Sequence, residues 1–199
     1  MNRIGITIYI IFLNFAPNIK IMAISTEKNE IITQIVQDLK SEDEVIILKA
    51  LVRVRDKGKT EILEHLFDLF EKTESEKVKT EVKKILADIK DSYALEVIIE
   101  KLKTGSDSLN EVLLYALWNS NLNAVDYIPE IIDAAKNGNY MIALESLTVL
   151  ENLDGPFSNE KLTEAQFILN EYFSEGVDEK ETLMRSILDV ILKLEDTAY

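Results

Sequence analysis

Leu66-Phe67-Asp68-Leu69-Phe70-Glu71-Lys72, Ile98-Ile99-Glu100-Lys101-Leu102-Lys103-Thr104 and Ile131-Ile132-Asp133-Ala134-Ala135-Lys136-Asn137 are the stretches whose reading decides the fold. Each runs apolar, apolar, acid, variable, apolar, and the equivalent acids Asp68, Glu100 and Asp133 stand 32 and 33 residues apart. A weaker copy, Ile168-Leu169-Asn170, follows after 37. One helix, one turn, a second helix and a second turn fill such a period, and a helix pair of that kind buries its apolar face only against its neighbours.

Outward from these stretches the apolar spacing stays helical. Ile31, Ile32, Ile35, Val36 and Leu39 keep to one stripe of a 3.6-residue period, and no segment alternates with period two for long. The spacing predicts helices near 26–40, 42–57, 60–73, 76–90, 93–104, 109–120, 125–137, 139–153, 159–175 and 179–195. Ser41 with Glu44, Ser108 with Glu111 and Asp178 with Glu181 read as capping boxes at helix starts. Gly58, Gly105, Gly138 and Gly176 sit where helices should stop, glycine being the residue that adopts the left-handed C′ conformation at little cost. The last helix fits an end cap, with Leu183, Ile187, Ile191 and Leu194 on one stripe and Glu181, Arg185, Asp189 and Lys193 facing away; helix 26–40 would seal the other end.

The run Leu86-Ala87-Asp88-Ile89-Lys90-Asp91-Ser92-Tyr93-Ala94-Leu95-Glu96-Val97-Ile98-Ile99-Glu100-Lys101-Leu102 resembles the turn and second helix of a HEAT or PBS-lyase-type HEAT-like repeat, of the wider armadillo-like class. Tyr127-Ile128-Pro129-Glu130-Ile131-Ile132, with proline early in the second helix, resembles the same unit again, and the similarity covers roughly 42–175. The resemblance implies an all-α, right-handed α-α superhelix, a short solenoid of about four helix pairs with terminal capping helices, whose concave wall binds another protein. The units are shorter than usual HEAT repeats, and most lack the family's basic residue in the second helix. A closed helical bundle is the architectural alternative, although bundle helices have no reason to repeat a motif at fixed spacing.

Composition narrows the function classes. The chain has 199 residues and a formal charge of −14, so a phosphate backbone is repelled and nucleic acid is not expected as a partner. There is no cysteine, which excludes disulfides, thiolate nucleophiles and sulfur-held metals. Residues 1–21 differ from the rest: they carry +2 through Arg3 and Lys20 with no acid, whereas 22–199 carry −16. Ile4 to Phe15 imitates a signal-peptide apolar region, but no A-x-A site follows and Pro17 interrupts it. Three readings stand for 1–21: a start codon upstream of the true one at Met22, an export or membrane-anchor segment, or native structure. The first makes 22–199 a single cytoplasmic HEAT-like domain. The second makes an exported or tethered binding protein, with a membrane partner only if 1–21 is retained.

The catalytic inventory is thin. His65 is the only histidine, all six glycines are isolated so no phosphate-cradling loop exists, and Asp107, Asn110 and Glu111 lack the alternating spacing of a calcium loop. With one histidine and no cysteine, zinc would depend mainly on carboxylates. No enzyme, cofactor or metal site is therefore expected. Two features carry binding instead. Glu64, Asp68, Glu96, Glu100 and Asp133 should line up across successive second helices as a negative stripe suited to a basic protein surface, unless they are simply the solvated face of those helices. In the joint that follows Tyr115, Trp118, Asn119 and Asn121 offer an aromatic anchor and free amides, unless Trp118 joins the core with Leu113, Leu114 and Leu117. The expected function is a protein-binding scaffold or adaptor; the alternative is a PBS-lyase-like module associated with, or chaperoning, a cofactor-bearing protein.

Overall fold

The computed structural model describes residues 29–57, 60–120, 122–176 and 178–195, and all regular structure among them is helical. Ten helices follow in order: α1 (29–39), α2 (Glu44–Lys57), α3 (Leu63–Lys72), α4 (Glu76–Ala87), α5 (Tyr93–Leu102), α6 (Asp107–Ser120), α7 (Ile128–Asn137), α8 (Tyr140–Glu151), α9 (Asn159–Glu175) and α10 (Glu181–Glu195). Each falls where the apolar spacing put one. Two begin with a 3-10 turn, Thr60–Ile62 ahead of α3 and Val125–Tyr127 ahead of α7. No helix among the described residues is long and apolar enough to cross a membrane. The segment 1–21, Met22, Gly58 and Asn121 lie outside the described residues.

The chain divides into two compact units, 1–58 and 59–199, within the span read above as one domain. In the first, Ile35 and Leu39 of α1 and Ile47, Ala50, Leu51 and Val54 of α2 are buried, and the Arg53 guanidinium meets Asp38 at 2.6 Å.

In the second unit most contacts run to the next helix and to the next but one, while α3 with α6 and α7 with α10 meet three helices on. α4 packs on α6, α6 on α8 and α8 on α10, while α5 packs on α7 and α7 on α9. Between these sets the backbones of α3 and α4, α5 and α6, α7 and α8, and α9 and α10 approach closely. These pairs are offset by one helix from the pairing expected above. Three of these pairs are joined by short segments, 73–75, 103–106 and 138–139. Phe67, Leu66, Leu86, Ile98, Leu113 and Ile128 are among the fully buried side chains. Each such residue contributes about 1.5–3 kcal/mol of transfer free energy.

Polar bonds tie each joint to one further along the chain. The Thr60 hydroxyl donates to Asp91 (2.7 Å), Asn119 Nδ2 to the Ala87 carbonyl (3.4 Å), Lys90 Nζ to the Ser120 carbonyl (3.0 Å), and Asn123 Nδ2 to the Asp154 carbonyl (2.6 Å). Their separations of 31, 32, 30 and 31 residues fall within three of the spacing of the repeated acids.

The helix ends differ in part from expectation. Asp43 accepts the Val45 N–H at 2.8 Å at the start of α2, while Ser41 serves the Asp43 N–H. α6 begins at Asp107, so Ser108 lies inside it and Ser106 accepts the Leu109 N–H at 3.4 Å. Asp178 does accept at the start of α10, from the Lys180 N–H at 2.9 Å, but Glu181 turns to Arg185 instead of back to the cap. Among the described glycines only Gly176 has a positive φ, 109°. Gly138 is extended, at φ −87° and ψ −179°, and is demanded by space instead: a Cβ there would stand 2.6 Å from two atoms of the Ile142 side chain and 2.8 Å from the Ala134 carbonyl oxygen.

The end of α7 is closed by a buried lysine. Lys180 is 5% exposed and donates from Nζ to the carbonyls of Ala135 (2.9 Å), Lys136 (2.6 Å) and Gly138. All three ammonium donors are thus spent on carbonyls that a helix C-terminus leaves without partners. Leu183, Ile187 and Ile191 of α10 are buried and Arg185, Asp189 and Lys193 exposed, the two-faced pattern read from the sequence, while Leu194 is half-buried.

Candidate functional site

Charge is distributed unevenly over the helices of the second unit. α3, α5, α7 and α9 together carry eleven acids and four bases, whereas α4, α6, α8 and α10 carry nine and six. The apolar stripes of α3, α5 and α7 turn Leu66, Phe67, Ile98, Ile99, Ile131 and Ile132 into the core, which leaves the intervening acids outside. Glu64 and Asp68 on α3, Glu96 and Glu100 on α5, and Asp133 on α7 are all exposed. Asp68 pairs with Lys72 at 3.2 Å and Glu100 with Lys103 at 2.8 Å, exposed local pairs that solvent screens heavily. Among the described residues Glu64, Glu96 and Asp133 form no ion pair. α7 packs on both α5 and α9, and α5 meets the 3-10 turn that precedes α3.

A cavity of about 400 Å³ opens beside Asp133, between the end of α5, the start of α6, α7 and α9. Leu102, Pro129, Ala134 and Ile168 supply its apolar wall. Its polar wall is mostly acidic: Asp107, Glu130, Asp133 and Glu164 line it, with Lys103 as the one lining cation, and that ammonium is bonded to Glu100. The attachment to Glu100 raises the Lys103 pKa above its ordinary value, with Glu130 contributing. Asp107 is partly spent, since it accepts from Asn139 Nδ2 at 3.2 Å, and Glu164 pairs with Lys161 at 3.5 Å.

Two side chains of this lining, Asn110 and Glu130, each hold one oxygen that is closed to solvent and without a hydrogen bond among the described residues. Asn110 is 8% exposed; its Nδ2 donates to the Leu102 carbonyl at 3.0 Å, and its Oδ1 is buried without a hydrogen bond. Glu130 Oε2 is likewise buried and unbonded. Gly105 makes room for the amide, because a Cβ at that position would stand 2.5 Å from Asn110 Oδ1. A buried acceptor without a donor costs about 1–3 kcal/mol. Among the described residues no group of three or more His, Cys, Asp or Glu is placed to hold a metal ion. The cavity's lining thus combines acids with apolar surface.

The tryptophan joint lies apart from the acids. Trp118 is half-buried on α6, its Nε1–H donates to Glu145 of α8 at 2.8 Å, and its ring stands edge-on to Tyr115 at 5.2 Å. Lys83 Nζ lies 4.1 Å from the centre of the Tyr115 ring. Asn119 is exposed but gives its amide N–H to Ala87, and Asn121 lies outside the described residues. The Trp118 indole N–H and one Asn119 amide N–H are thus engaged within the fold. His65 is half-buried on α3, away from the residues that line the cavity.

Of the binding residues expected from the sequence, only Asp133 lines the cavity, together with Asp107 and Asn110, which the sequence offered only as a failed calcium loop. Asn110, Glu130 and Glu164 were missed. Asn110 had a legible signal: it stands three, four and seven residues before Leu113, Leu114 and Leu117, so an amide occupies a core position of α6. Glu130 and Glu164 had none, because thirty-six acids hide any two of them. No family model, curated protein or solved structure matches the chain.

Proposed function

We propose that the chain is a cytoplasmic HEAT-like scaffold without catalysis of its own, which holds a basic segment of another protein along the acid-bearing side of α3, α5, α7 and α9. Support for the solenoid comes from contacts that run mostly to the next helix and the next but one, and from joint-to-joint bonds 30 to 32 residues apart. The observation that carries the function is the excess of acids on those four helices, eleven against four bases, with Glu64, Glu96 and Asp133 exposed and without ion pairs among the described residues. Such a surface speeds encounter with a basic partner and selects its orientation, while affinity accumulates from area.

Anisotropy of a fluorescent oligolysine peptide tests the proposal. Binding should weaken with salt and be lost in the triple variant Asp68→Lys, Glu100→Lys, Asp133→Lys. It should persist in Glu76→Lys, Glu151→Lys, Asp189→Lys, which changes net charge equally but on α4, α8 and α10. Equal loss in both variants would reduce the effect to net charge and dispose of a dedicated face.

A further inference from the structure

Asn137-Gly138 is the only place in the sequence where an asparagine precedes a glycine. In that pairing the backbone nitrogen of the glycine can attack the side-chain amide carbon of the asparagine, because no Cβ shields it. A bond forms from Gly138 N to Asn137 Cγ, the Cγ–Nδ2 bond breaks, and ammonia leaves with the proton of the peptide N–H. Water then opens the cyclic imide at either carbonyl and gives aspartate or isoaspartate. Packing imposes the susceptible pair, since a Cβ on residue 138 would stand 2.6 Å from the Ile142 side chain. Asn137 itself is exposed, so water reaches it.

The folded joint ties up both reacting groups. The Gly138 N–H, whose proton is lost in the attack, donates to the Ala134 carbonyl at 2.9 Å, and Asn137 Nδ2 donates to the Asp133 carbonyl at 3.0 Å. Lys180 fixes the same end of α7, with its ammonium on the carbonyls of Ala135, Lys136 and Gly138. Attack therefore requires the last turn of α7 to open, and opening requires Lys180 to let go.

We propose that Asn137 is a site of spontaneous deamidation, gated by release of Lys180 from the end of α7. Isoaspartate lengthens the main chain by a methylene ahead of Gly138 and carries the Gly138 carbonyl off the Lys180 ammonium, so each conversion leaves the joint looser. This chemistry is independent of any partner held on the acidic side.

One nitrogen gives two readings of the same opening. The Gly138 amide exchanges its hydrogen, and attacks Asn137, only while the turn is open, so both rates should be slowed by a common factor relative to the urea-unfolded chain. The full-length protein is aged in mildly alkaline buffer, folded or in urea. Residues 131–145, released by a glutamate-specific protease, are analysed by mass spectrometry for amide-to-acid conversion at Asn137, and Gly138 exchange is followed by NMR. Conversion in the folded chain should be at least about tenfold slower than in urea and should match the Gly138 protection within about threefold. Lys180→Met should speed both processes together while the Leu113 and Leu114 amides of α6 keep their protection. Conversion as fast in the folded chain as in urea, or slowed far less than exchange, would overturn the gate. Absence of conversion at Asn137 in urea would remove the site, and unchanged rates in Lys180→Met would overturn the lysine as its latch. If Lys180→Met unfolds the chain, Lys180→Gln, which keeps an amide donor in place, carries that comparison.

Discussion

Around the start of α10 three side chains depend on one another. Lys180 is buried with its ammonium on the carbonyls of α7, and burial pulls its pKa below the ordinary lysine value, while Asp178, Asp107 and Glu179 act in the opposite sense. Asp178 accepts the Lys180 N–H at 2.9 Å and the Tyr172 hydroxyl at 2.7 Å. The tyrosine is buried, and burial followed by its bond to Asp178 pushes its pKa from 10.0 up to about 12. The same hydroxyl is the main cause that holds the Asp178 carboxyl below 3.8. The signs differ at the two ends of the pH scale. Tyr172, raised in the folded state, contributes stability that is complete below pH 10.0 and disappears as pH climbs towards about 12. Asp178, lowered in the folded state, contributes stability that is complete above 3.8 and is lost as pH falls through its folded value. Tyr172→Phe should therefore flatten the alkaline decline and shrink the acidic one, read as urea midpoints across a pH series. An alkaline decline unchanged in the variant would mean that other groups, such as Tyr127, set it.

At the scale of the element, α7 is the helix on which most else depends, since α5, α8, α9 and α10 all pack against it. Its amphipathic pattern was plain in Ile128, Ile131, Ile132 and Ala135, all buried, and Pro129 in its first turn is a residue that needs no N–H partner. The recurrence of acids at Asp68, Glu100 and Asp133 was legible as well, and the apolar pairs ahead of them, Leu66 with Phe67, Ile98 with Ile99 and Ile131 with Ile132, are buried. The pairing of helices was not legible, because it depends on tertiary packing that no local pattern reports, and a capping pattern such as Ser108 with Glu111 places a boundary only to within a residue or two. Gly138 illustrates the limit. The sequence marks it as a helix end, but the cause is neighbouring atoms that no local pattern reports. Gly138→Ala should lose about 1–3 kcal/mol in urea denaturation through overpacking against Ile142. Ile142→Ala, which empties the clashing space, should make the same glycine substitution less costly in a double-mutant cycle. Strict additivity of the two changes would contradict a steric cause.

Over the whole molecule the dominant electrostatic fact is a formal charge of −14, and the four helices α3, α5, α7 and α9 carry a surplus of seven acids. This much of the candidate site could be read from composition and periodicity. Its cavity could not, because Asn110, Glu130 and Glu164 come from three helices whose apposition depends on packing. The surplus has a consequence for stability as well as binding. Exposed pairs such as Asp68 with Lys72 and Glu100 with Lys103 are local and contribute little, so they do not offset repulsion among unpaired acids on adjoining helices. Salt shortens the reach of that repulsion, from about 30 Å at 0.01 M to about 8 Å at 0.15 M. Folding stability should therefore rise with sodium chloride over this range, by roughly 1 kcal/mol, at constant pH 7 and constant urea slope. In Asp68→Lys, Glu100→Lys, Asp133→Lys the formal charge falls in magnitude by six, and the low-salt protein should gain most of that increment while its salt response flattens. The matched reversals on α4, α8 and α10 should leave the response steeper, because they spare the helices where the acids are concentrated. A salt response of equal steepness in the two variants would show that repulsion is spread over the surface and not gathered on the proposed binding side. Stability falling with salt in the unsubstituted chain would show that attraction between its ion pairs outweighs repulsion altogether.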